Sequence, residues 1–78
     1  MFVAIFLRGG NEMDLYYVHD GVDNKGQHEV HKYSCSWLPN DKTFLGYYSN
    51  SKEAVAKAKT IYTNSDGCCH CCQDADTD

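Results

Sequence analysis

The run Cys68-Cys69-His70-Cys71-Cys72 constrains this chain more than any other stretch, because it gathers four thiols and an imidazole into five positions. It contains two interleaved Cys-x-x-Cys pairs, Cys68 with Cys71 and Cys69 with Cys72. That spacing lets one turn bring two sulfurs to a tetrahedral ion at about 2.3 Å each. A structural zinc site usually takes its four ligands from two such turns, and here a single short segment supplies the pairs. Neighbouring residues of an extended chain point to opposite sides, so all four thiolates cannot reach one ion without a strained wrap. The run therefore reads as a half-site. Its candidate ligands are Cys68, Cys69, Cys71, Cys72 and His70, and the expected cofactor is zinc or another thiophilic ion. A missing ligand can come from His70 itself or from the strand that carries His31 and Cys35 on one face.

Chain length gives the cluster its weight. A chain of 78 residues makes one domain, and a domain of that size buries only about 60–65% of the surface its unfolded chain exposes. Small cores are often supplemented by a metal, a disulfide or a partner subunit, which makes the cysteines a staple before they are a catalyst.

Charge narrows the partners. Seven Lys and Arg stand against eleven Asp and Glu, for a net charge of -4, and the lysines are dispersed between Lys25 and Lys59. Phosphate neutralisation needs clustered cations, so direct nucleic-acid binding is not expected. The longest apolar run, Phe2 to Leu7, falls well short of the roughly 20 residues that cross a membrane, and no basic segment precedes it. A cytoplasmic location follows as the expectation, and there closely spaced cysteines act as metal ligands or redox thiols more often than as disulfides.

Hydrophobic patterning predicts α+β. Phe2-Val3-Ala4-Ile5-Phe6-Leu7 is apolar on both faces and is followed by Gly9-Gly10-Asn11, as for a central strand joined by a hairpin to Leu15-Tyr16-Tyr17-Val18. Residues 20–26 read as an exposed loop. In the next strand Glu29, His31, Tyr33, Cys35 and Trp37 share one face, expected to be buried from Tyr33 onward with Cys35 as a small core side chain. On that strand His28 and His31 point apart and cannot chelate together. Phe44 to Tyr48 makes a further strand with Gly46 as a bulge. Asn50 followed by Glu53 resembles a capping box, with Ser49 or Ser51 as alternative caps, and Ala54, Val55, Ala58, Ile61 and Tyr62 make the apolar stripe of a helix stopped by Asn64 to Gly67. The expected architecture is an antiparallel sheet of three to four strands with one C-terminal helix packed on one face, then a Cys-rich tail. Residues 1–66 form the single α+β domain and residues 67–78 the Cys-rich acidic tail.

Other chemistry is less well supported. A redox thiol needs a depressed pKa, usually at a helix N-terminus or beside a cation. Here the motif follows the helix, and Asp66, Asp74, Asp76 and Asp78 surround it with negative charge that raises thiol pKa values. A free, unliganded tail is the plain alternative to metal binding. Tyr16, Tyr17, Tyr47, Tyr48 and Trp37 are candidates for an exposed aromatic patch that binds protein.

The stretch from Gly46-Tyr47-Tyr48-Ser49-Asn50-Ser51 through Lys59, followed by Asp66-Gly67-Cys68 and Cys71-Cys72, resembles small uncharacterised bacterial proteins, some on mobile elements, that end in an Asp-Gly-Cys-x-x-Cys-Cys tail. The likeness covers about the last third of the chain. Such proteins often continue into a Cys-His pair that completes a metal site, where this chain has Ala75-Asp76. The resemblance points to a C-terminal metal-binding segment and supplies no activity to carry over.

The resulting expectation is a non-enzymatic interaction or accessory module that binds a protein partner, with a homo-oligomer as a further possibility, and that carries a metal-binding cysteine knuckle. The alternatives are a mobile-element or phage-encoded inhibitor that binds a host protein through an acidic surface and, third, a thiol-redox protein.

Overall fold

The computed structural model describes residues 13–75. The expected strand over Phe2 to Leu7 and its hairpin lie outside the described residues. The elements in chain order are β1 (Asp14–His19), β2 (His28–Lys32), β3 (Lys42–Tyr48), α1 (Ser51–Ala58) and β4 (Ser65–Gly67), followed by a single 3₁₀ turn over Gln73–Ala75.

The four strands form one sheet in the order β3-β1-β2-β4. β1 pairs antiparallel with β2, placing Tyr17 opposite His31, and antiparallel with β3 on its other side. β4 pairs parallel with β2, setting Val30 beside Gly67. The sheet is therefore mixed, which corrects the expectation of a purely antiparallel one. The cause is the connection: β3 and β2 both run opposite to β1, and α1 carries the chain back across one face, so the next strand enters in the direction of β2. The short segment expected only to stop the helix forms this edge strand.

Local chemistry accounts for the elements. Asn50 caps α1, its side chain accepting from the Glu53 backbone N–H at 2.9 Å. Glu53 reaches back to the backbone N–H and hydroxyl of Ser49 at 3.3 and 3.1 Å, one residue earlier than the standard box. The β1–β3 register shifts between Tyr16 and Tyr17, and Gly46 takes φ +125° at this bulge, a conformation that favours glycine. α1 is shorter than its apolar stripe. It ends at Ala58, leaving Ile61 exposed, while Tyr62 packs on the margin of the core.

That core lies between α1 and one sheet face and joins Tyr16, Val18, Val30 and Leu45 to Ala54, Val55, Ala58, Cys72 and Ala75. It is thin. Among the described residues, the largest side chains that are fully buried include one aromatic ring, Tyr16, and two valines, Val18 and Val30, and the others are His31, Cys68, Cys72 and Ser51. Burying a valine contributes about 1.5–3 kcal/mol, so a core of this composition leaves much for other interactions to supply.

The chain after α1 is delivered to the free edge of β2 by specific contacts. The His28 and Tyr62 rings stack 3.8 Å apart, the His28 backbone N–H donates to the Asn64 carbonyl at 2.8 Å, and the Ser65 hydroxyl donates to the Tyr62 carbonyl at 2.6 Å. No helix among the described residues is long and apolar enough to cross a membrane.

Candidate metal centre

β2 ends at Lys32, short of the strand expected to continue to Trp37. Two turns follow, closed by the Cys35 N–H donating to the Lys32 carbonyl at 3.0 Å and the Leu38 N–H donating to the Cys35 carbonyl at 3.1 Å. Tyr33 and Trp37 are consequently 56% and 61% exposed, which corrects their expected place in the core. The turns fold Cys35 back toward His31. At the opposite edge of β2, the Cys68 N–H donates to the Val30 carbonyl at 3.0 Å and extends the parallel ladder beyond β4. The chain then closes a turn, with the Cys72 N–H donating to the Cys68 carbonyl at 2.8 Å.

These two turns bring one ligand atom each from His31, Cys35, Cys68 and Cys71 within 4.8 Å of one another, close enough to hold a metal ion. The ligand pattern is His-x3-Cys on the β2 side and Cys-x2-Cys on the β4 side. Backbone amides point at two of the sulfurs: the Lys32 N–H donates to Cys71 Sγ and the His70 N–H to Cys68 Sγ, each at 3.4 Å. N–H donors of this kind favour a thiolate over a thiol. A close approach completes the arrangement. A Cβ on Gly67 would fall 2.7 Å from the Cys72 carbonyl oxygen, so only glycine lets the cysteine turn lie against the end of β4.

His31 is the most informative member. It is 2% exposed, and its Nδ1 is buried without a hydrogen-bond partner among the described residues. An orphaned buried nitrogen costs about 1–3 kcal/mol, and a bound cation would remove that cost. Burial, with smaller contributions from His19 and His70, lowers the His31 pKa to about 4, so the ring is neutral near pH 7 and presents a lone pair. Burial raises the Cys68 thiol pKa. Cys71 is raised chiefly by donating its proton to Cys72, whose Sγ lies 3.6 Å away, and Cys72 is lowered to about 7 by the same hydrogen bond. An ion binding here displaces protons from sulfur.

The run named from sequence divides three ways. Cys68 and Cys71 enter the cluster. Cys72 is fully buried in the apolar core, and Cys69 and His70 are exposed, with His70 stacked on Trp37. The remaining two members are the residues on the β2 side, His31 and Cys35. Cys35 is half-buried among sulfurs and is not a core side chain. Glu29, whose carboxylate lies 3.4 Å from His31 Nε2, drew no assignment from sequence, and its position two residues before His31 on the same strand face was the available signal. Comparison of the chain with protein-family models, with curated proteins and with solved structures finds no match.

Proposed function

We propose that this chain is a small non-enzymatic interaction module whose C-terminal cysteine turn is tied to its sheet by a structural zinc ion. The carrying observation is the convergence of His31, Cys35, Cys68 and Cys71 from two separate turns onto one point. Three thiolates and one neutral imidazole form a standard structural zinc set, and four protein ligands leave no open position for a reactive water. Magnitude supports the same reading. Structural zinc supplies an apparent 10–16 kcal/mol in small peptides, on the scale of the roughly 5–15 kcal/mol that holds a whole domain together.

A redox role has less support, because the thiol with the lowered pKa, Cys72, is fully buried. An interaction role draws on the exposed aromatics Tyr33, Trp37, Phe44 and Tyr47, side chains enriched at protein-binding surfaces.

Native mass spectrometry of the full chain, purified under reducing conditions, tests the zinc reading. One zinc per wild-type chain is expected, retained in Cys69→Ala and lost in the double variant Cys68→Ala/Cys71→Ala. Wild-type protein without stoichiometric metal after zinc addition defeats the proposal.

A further inference from the structure

We infer that Glu29 is the outer-sphere positioning residue that fixes His31 as a metal ligand through Nδ1; the inference rests on the zinc reading above.

An imidazole that gives one nitrogen to a metal must keep its proton on the other, and the acceptor for that proton sets both tautomer and ring orientation. His31 has its two nitrogens in different surroundings. Nε2 faces the Glu29 carboxylate at 3.4 Å. Nδ1 is the buried nitrogen without a partner among the described residues. With Nε2 taken up by a carboxylate, Nδ1 is the nitrogen left for an ion held with Cys35, Cys68 and Cys71.

Strand geometry makes the contact systematic. Glu29 and His31 both lie within β2, two residues apart, so their side chains leave the same face. Their exposures differ in a useful way: the His31 side chain is 2% exposed and that of Glu29 is 33%. The carboxylate thus reaches a buried ring while remaining partly exposed to water. With Nδ1 turned to an ion, the proton of the ring stands on Nε2, where the Glu29 carboxylate at 3.4 Å is placed to accept it.

Glu29 also borders a cavity of about 120 Å³ lined in part by Gln27, Asp66 and Cys69. Truncating Glu29 enlarges a polar space at the surface and leaves the apolar core under α1 intact.

The test is zinc affinity by chelator competition, with the nitrogen bound by the metal read from ¹⁵N NMR of the zinc-loaded full chain. Glu29→Ala is expected to weaken zinc binding by about 10- to 100-fold, the usual effect of losing such a partner. Glu29→Gln keeps an oxygen acceptor and is expected to fall between Glu29→Ala and wild type. Wild-type His31 should carry its proton on Nε2 and its metal on Nδ1. Unchanged affinity in Glu29→Ala, or metal on Nε2 in the wild type, overturns the Glu29 inference and leaves the zinc reading standing. Wild-type protein that takes up no zinc removes the zinc reading itself, and the role of Glu29 with it.

Discussion

Trp37 and His70 lie stacked, with ring centroids 4.7 Å apart and planes 21° from parallel, although each is carried on a different turn of the cysteine cluster. Trp37 follows Cys35 by two positions, and His70 sits between Cys68 and Cys71. Trp37 is 61% exposed, so burial does little to hold this pair together. What relates the two rings is the convergence of the turns beneath them.

That relationship makes Trp37, the one tryptophan in the chain, a reporter of the metal centre. Its emission is expected to rise when zinc is stripped by a chelator, as the stacked imidazole moves away. In His70→Ala the rise should vanish while one zinc per chain remains bound, because His70 lies outside the ligand cluster. Equal chelator responses in the two proteins, followed by steady-state fluorescence, would refute the link.

The thiols set a proton count for zinc binding. Three cysteines belong to the cluster, so below about pH 7, where Cys72 is also protonated, each ion should release three protons. Above that pH the metal-free Cys71/Cys72 pair has already lost one proton, with Cys72 lowered and Cys71 raised. Binding at Cys71 then pushes the remaining proton onto Cys72, and the expected release falls to two. Affinity decreases as pH falls throughout, because protons compete with the ion for sulfur. Calorimetry in buffers of different ionisation enthalpy measures the count, and Cys72→Ala should hold it at three on both sides of the transition. A wild-type count that does not change across pH 7 contradicts the shared proton.

Gly67 is expected to be intolerant of even one methyl group. An added Cβ meets the Cys72 carbonyl oxygen at 2.7 Å and the Ala75 backbone at 3.0 Å, and backbone cannot swing aside as a side-chain tip can. Overpacking of this kind costs about 1–3 kcal/mol. At roughly 4–8 °C per kcal/mol for a domain of this size, Gly67→Ala should lower the zinc-loaded Tm by several degrees or more. Gly26→Ala is a useful comparison, because a Cβ there meets nothing within 4 Å and any loss comes from its φ of +77° alone. Thermal unfolding by circular dichroism separates the two, and a Gly67→Ala Tm equal to wild type would show that the cysteine turn does not pack against β4 as described.

Much of the scaffold was legible because its causes are local. The cap at Asn50, the bulge at Gly46 and the strands around Leu15 to Val18 and Phe44 to Tyr48 all depend on residues a few positions apart. The break in β2 after Lys32 was less visible. The alternation of Tyr33, Cys35 and Trp37 imitates a strand, and the turn that replaces it is closed by backbone hydrogen bonds that carry no side-chain signature. β4 is three residues long, too short to show any period.

From its sequence alone, this protein was a small α+β chain with Cys-x-x-Cys spacing and at least one ligand unaccounted for, since spacing and alternation are properties of neighbouring residues. Which thiols meet, and on which histidine, was decided by the tertiary structure. The parallel pairing of Val30 with Gly67 places Cys68 beside His31, and that register exists only after α1 has returned the chain to the free edge of β2. The same cysteine run on a different strand pairing would keep its spacing and find other partners.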